Sequence, residues 1–298
     1  MPSDLPPFRV SFDRQRFIDL SISPAQSSIM PVVVVRGDSF ECRGTAFSIA
    51  NFGAMLTAKH VIEEAKQRSE NENTLIAVLY VAEGIGHQVP DLLGGPLPIT
   101  HAYLSGSTDL AVLQVQLPLV DGKPLDFPAL RLSPGVPTLG TSTMTLGYNR
   151  FEARSLSQGP ERPAFELASH FSASAGKILQ IYPRGRDSVM APFPCFEVGG
   201  RFDAGMSGGP VVSASTGDVC GIVLTGFDKG KGTDNDTSFR SLLAPAFDLG
   251  VVITNQSGHE ETLSVLELAR REFVPTDDTL AHIEIVNKGD GTQQLRYF

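Results

Sequence analysis

From Met30 onward the chain alternates short apolar runs with Gly, Pro, Asn and Asp. MPVVVVRG, GTAFSIA, AMLTAKHV, TLIAVLYVA, LPITHAYL and DLAVLQVQL come first; TSTMTLGYN, FELASHFSASAGKILQIYP, CFEVGG, GPVVSAS and DVCGIVLTGF follow. Short β-branched runs between turn residues predict the strands of an all-β protein. Residues 62–72 (IEEAKQRSENE) are polar and helix-permissive, which predicts one exposed helix directly after His60. Leu117–Gly135 holds four prolines and little periodicity, as a linker between two β units would. Further on, EETLSVLELARREF places Leu263, Leu266, Ala269 or Arg270, and Phe273 at helical spacing. That spacing predicts an amphipathic helix docked by one face, and AHIEIVNKG predicts a last strand. Residues 1–29 are polar and Pro-containing, and are expected to pack on the body or act as an interaction arm.

Composition narrows the class. The 298 residues include 29 Gly and 21 Pro, a surplus over usual levels that suits many turns and argues against helical bundles. Net charge is −9, which disfavours bulk nucleic-acid binding and a polybasic membrane anchor. No apolar run approaches the length of a membrane span. The amino terminus lacks the apolar core of a secretory signal, so a cytoplasmic protein is expected. The three cysteines, Cys42, Cys195 and Cys220, are far apart and form no C-x-x-C pair. Neither a disulfide framework nor a metal site is encouraged, and no cofactor is expected.

Three segments carry chemistry. Leu56-Thr57-Ala58-Lys59-His60 ends a strand on a histidine; Thr108-Asp109-Leu110-Ala111 opens a strand with an acid; Gly205-Met206-Ser207-Gly208-Gly209-Pro210 sets a serine in a glycine-rich turn. A serine hydroxyl needs a neighbouring base to become a nucleophile, and histidine serves near pH 7. A carboxylate on the far ring nitrogen fixes the tautomer. The developing oxyanion needs preorganised N–H donors, and a glycine at 205 lets its N–H point the same way as that of Ser207. His87, His101, His170, His259 and His282 lie without ligand spacing and read as surface or core residues.

With these motifs in the order His, Asp, Ser, the sequence resembles the chymotrypsin-like (trypsin-fold) serine peptidases, in the manner of a bacterial intracellular member. LTAKHV, TDLAVL and GMSGGPVV stand in the places of that family's three catalytic motifs, with GTAF and GIVLTG as flanking strands. The resemblance implies two six-stranded antiparallel β-barrels, the first over 30–120 and the second, with its linker, over 121–250. An extension at 1–29 and a helix-and-strand extension at 251–298 would flank them. It also implies a serine endopeptidase acting on polypeptides: His60 as general base, Asp109 as orienting carboxylate, Ser207 as nucleophile, and the N–H groups of Gly205 and Ser207 as oxyanion hole. Arg201 falls at the family's pocket-base position and would select an acidic side chain; the competing reading has Arg201 facing solvent, with Asp203 or another group lining the pocket. Leu224, Thr225 and Gly226 would offer backbone for pairing an extended substrate.

Two departures matter. Met206 replaces the aspartate with which digestive relatives bind a newly cut amino terminus, so activation by such a salt bridge is not expected. A protein or ligand activator, as in a bacterial stress or defence response, is one alternative. Leu224 replaces a serine that bonds the triad aspartate, which leaves backbone N–H groups, Thr57 or Thr108 to hold Asp109. The competing class is a non-catalytic binding module or scaffold on the same fold. Oligomeric state is not legible at this level.

Overall fold

The computed structural model describes residues 8–11, 27–37, 39–69, 74–83, 92–120, 123–125, 127–155, 164–200, 202–227, 237–254, 260–287 and 293–297. A short strand β1 (Phe8–Ser11) precedes β2 (Ile29–Arg36), β3 (Ser39–Ala50), β4 (Ala54–Thr57), helix α1 (Lys59–Arg68), β5 (Thr74–Glu83), β6 (Leu92–Leu104) and β7 (Ala111–Val115). Antiparallel pairing runs β5-β2-β3-β4-β7-β6, and β6 returns to β5, closing a six-stranded barrel. Several of these strands read as continuous rather than alternating apolar runs because both faces are covered. In β4, Met55 enters the barrel core with Met30, Val32 and Val78, whereas Ala54 and Leu56 join an outer layer with Phe47, Val112, Phe247 and Leu266. The period of two is intact, but each parity meets a different apolar partner.

After a small hairpin, β8 (Leu119–Val120) and β9 (Lys123–Pro124), the second barrel comprises β10 (Ser142–Ser155), β11 (Ala164–Tyr182), β12 (Cys195–Gly199), β13 (Pro210–Ser213), β14 (Val219–Phe227) and β15 (Thr237–Leu242). Its order β10-β13-β14-β15-β12-β11 closes through a β10–β11 pairing. Strand β1 pairs antiparallel with β6 and parallel with β11, joining the two sheets. The expected double barrel is the architecture observed.

Two expected boundaries shift. The helix after β4 begins at Lys59, so His60 sits inside its first turn rather than ahead of it. At the far end, Glu260–Ser264 is not helical: it is strand β17, paired with β16 (Gly250–Thr254). Helix α2 covers only Val265–Arg270. The cause is local. Ser264 and Glu267 form a reciprocal capping box, the Ser264 hydroxyl accepting from the Glu267 N–H at 3.2 Å and Glu267 Oε2 accepting from the Ser264 N–H at 2.8 Å, which starts the helix after Ser264. Phe273 lies beyond it, 52% exposed. The expected last strand is β18 (Ile283–Asn287), paired with β19 (Gln293–Tyr297). Among the described residues no helix is long and apolar enough to cross a membrane.

Candidate active site

The first turn of any helix leaves N–H groups without intrahelical acceptors. Helix α1 has Ala58 at its cap position and no side-chain cap of its own, and Asp109 takes that place from the loop before β7. The His60 backbone N–H donates to Asp109 Oδ1 at 2.9 Å, and the Lys59 N–H donates to the Asp109 carbonyl at 3.3 Å. The second carboxylate oxygen accepts from His60 Nδ1 at 2.6 Å. One acid thus caps the helix and orients the ring that the helix carries. Of the expected supports for Asp109, the backbone N–H is the one present. Thr57 instead donates to the Thr45 carbonyl at 2.7 Å, and the buried Thr108 hydroxyl has no partner among the described residues. The turn delivering Asp109 is braced by Ser105, whose hydroxyl accepts from the N–H groups of Ser107 and Thr108 and whose carbonyl accepts from Lys59 Nζ.

Burial by itself presses the His60 pKa down. The hydrogen bond and charge of Asp109, with Glu64 and Glu63 on the same helix, outweigh it and leave the pKa raised. The imidazole remains about a third open to solvent, with 32% of its side-chain surface exposed.

Ser207 occupies the turn between β12 and β13. Its carbonyl accepts from the Thr45 N–H at 2.8 Å, and the next residue's N–H donates to the Val223 carbonyl at 2.8 Å. Gly205 and Gly208 have φ of 96° and 82°, a region that side chains disfavour. The Thr45 hydroxyl donates to the Gly205 carbonyl at 2.9 Å while the Met206 N–H donates to the Asp203 carbonyl. The peptide between 205 and 206 is therefore fixed at both ends. Among the described residues, neither the Gly205 nor the Ser207 N–H has an acceptor. The Ser207 hydroxyl itself donates to the Leu224 carbonyl at 3.2 Å. A Cβ built on Gly208 would touch Thr57 Oγ1 and the Ala58 nitrogen, so this turn lies against the residues that lead into His60.

Residues 44–222 match the family model of the trypsin-like peptidase domain. The chain belongs to that family. No curated protein matches it in sequence. It is similar to several solved structures. One is the active form of the Rv3671c protease from M. tuberculosis, at 18% identity over 82% of this chain and 88% of that one, with a TM-score of 0.47. Another is Deg5, at 17% identity over 73% and 84%, with a TM-score of 0.47. A third is the HtrA-type protease AlgW with a tripeptide, at 19% identity over 74% and 58%, with a TM-score of 0.46.

In this trypsin-like serine peptidase domain, β14 pairs with β15 on one side, while β13 on the other reaches only Ile222. A register shift between Val223 and Thr225 skips Leu224, whose carbonyl meets Ser207. Past Val223, the second edge of Leu224-Thr225-Gly226 carries no strand among the described residues. Arg201 lies outside those residues, as do His87 and His259. His101 is exposed and stacks with Tyr103, and His282 is exposed. Cys195 and Cys220 are buried and Cys42 is partly so. Burial pushes their thiols up to about 11, 12 and 11 respectively, which keeps them protonated and unreactive. Among the described residues no group of three His, Cys, Asp or Glu side chains is placed to hold a metal ion. The residue that sequence reasoning missed is Thr45, fully buried, whose N–H, hydroxyl and carbonyl hold Ser207, Gly205 and Thr57. Its one signal is a polar residue inside the apolar run GTAFSIA.

Proposed function

We propose that this domain cleaves polypeptides through a covalent acyl-enzyme on Ser207. His60 Nε2 takes the hydroxyl proton as Oγ bonds to the scissile carbonyl carbon. The oxyanion that forms is met by the N–H groups of Gly205 and Ser207. His60 then returns the proton to the departing amine as the C–N bond breaks, and a water activated by the same base releases the acid and frees Ser207. The observation that carries this reading is the double use of Asp109, which holds both the main chain and Nδ1 of His60 and so leaves Nε2 as the free acceptor.

The hydroxyl rests on the Leu224 carbonyl, and catalytic hydrogen bonds are often formed only in the substrate complex. A substrate strand laid along Leu224-Thr225-Gly226 presents a backbone N–H to that carbonyl and releases the hydroxyl toward His60. On this reading the substrate backbone itself opens the site. Reaction with a fluorophosphonate, followed by peptide mapping, is expected to place a single adduct on Ser207 and to stop peptide hydrolysis. An unmodified Ser207 beside unchanged hydrolysis of a casein substrate defeats the reading.

The general base works only when His60 is neutral. Because its pKa is raised, kcat/KM is expected to fall as pH drops through a midpoint above histidine's ordinary value of about 6.5. A pH–rate profile with its acid limb centred below that value contradicts this assignment.

A further inference from the structure

The second barrel encloses a charge that no described residue neutralises. Arg240, on β15, is 1% exposed and heads the fully buried side chains in size. Its Nη1 donates to the Phe239 carbonyl at 3.1 Å and its Nη2 to the Thr145 hydroxyl at 3.2 Å. Both acceptors are neutral. Its Nε–H has no partner among the described residues, and the Phe202 ring covers the guanidinium at 4.6 Å. No carboxylate pairs with it among the described residues, and burial presses its pKa down to about 9. Withdrawing an unpaired cation from water is costly, and an apolar side chain of similar volume would fill such a place more favourably. An arginine kept there calls for an anion.

Its position says where that anion comes from. Arg240 stands opposite Val223 in the β14–β15 register. The Val223 carbonyl and N–H bond Gly208 and Gly209, and Leu224 beside it receives the Ser207 hydroxyl. Phe202 lies on the segment that runs into Gly205 and Ser207. Arg240 therefore lies on the strand that pairs β14 on the side away from its free edge, and its guanidinium packs against Phe202 of the segment that leads into the Ser207 turn.

We propose that Arg240 selects a glutamate or aspartate as the residue whose carbonyl is attacked, its carboxylate entering beside Phe202 to accept from Nε and an Nη hydrogen. That fork is the geometry in which guanidinium and carboxylate bind most strongly. The inference rests on the peptidase reading above. It assigns to Arg240 the acidic preference that sequence position alone attached to Arg201.

Two peptide substrates that differ only by Glu or Gln at this position test it. The wild-type protein is expected to favour the Glu substrate by about 100-fold in kcat/KM, the scale of a charge-assisted hydrogen bond. In Arg240→Met the ratio falls toward one, and in Arg240→Lys it is intermediate. Circular dichroism reports folding; where the methionine variant does not fold, the wild-type and lysine ratios decide. A wild-type ratio near one, with Ser207 labelled by fluorophosphonate, overturns the specificity assignment and leaves the peptidase reading standing. A Met variant that keeps the wild-type ratio also overturns it. Absence of labelling at Ser207 overturns the peptidase reading and this one with it.

Discussion

Asp109→Asn is expected to lower kcat by roughly 10,000-fold while the protein stays folded. The number of acceptors at residue 109 decides the outcome. Asp109 offers two oxygens, one to the His60 backbone N–H at 2.9 Å and one to Nδ1 at 2.6 Å. Asparagine offers one oxygen and one NH2. The backbone N–H can be met only by the oxygen, so the NH2 faces Nδ1 and donates to it. Nδ1 must then be bare, the ring proton moves to Nε2, and the atom that should receive the Ser207 proton is already occupied. Stability suffers little by comparison. The oxygen still caps the helix, the Lys59 N–H still reaches the backbone carbonyl of residue 109, and only the favourable charge at a helix N-terminus is lost, about 0.3–1 kcal/mol. Turnover of a peptide ester measured beside a thermal melt checks both halves. A kcat within tenfold of wild type shows that Asp109 does not set the tautomer.

Much of this architecture is legible from local pattern. Strand runs separated by Gly and Pro mark the barrels, and the segments carrying His60 and Asp109, which the structure brings into contact, stand out as motifs. What stays hidden acts at long range through single polar side chains. Thr45 reaches Gly205 across 160 residues, and Arg240 reaches Thr145 across 95. In sequence, Thr45 is one hydroxyl in an apolar strand and Arg240 one cation in TSFRSLL. Such positions ordinarily face solvent, and nothing local says that a second barrel or an adjoining strand covers them. The misread C-terminal helix has a different cause. Leu263, Leu266 and Ala269 satisfy a helical period, yet Leu263 is on a strand, because the Ser264–Glu267 capping box outweighs the period of the residues before it. The apolar periodicity of a short segment is compatible with more than one backbone, and the cap decides where the helix starts.

The Ser207 turn is expected to be the least forgiving backbone in the molecule, and Gly208→Ala measures this. A methyl at 208 would stand 2.2 Å from the Thr57 hydroxyl, 2.3 Å from the Thr45 carbonyl and 2.9 Å from the Ala58 nitrogen. The first two atoms are the donor and acceptor of one buried hydrogen bond, so the methyl drives between them. Relief by moving the chain is blocked, because the Gly208 N–H is held by Val223 and the Gly209 N–H by Met206. A side chain at φ of 82° adds about 1 kcal/mol or more of strain. The broken buried bond adds about 1–3 kcal/mol, and overpacking adds a similar amount. The expected loss is at least about 3 kcal/mol, a large part of the roughly 5–15 kcal/mol that holds a domain together, and Tm should fall by on the order of 10 °C. Gly217→Ala separates the causes: its φ is 77°, yet nothing lies within 4 Å of its added methyl, so only the backbone strain applies. If both variants melt together, the clash with Thr57 and Thr45 contributes nothing. If Gly208→Ala melts well below the control, the two threonines that join the first barrel to the serine turn fix the place at which Ser207 stands.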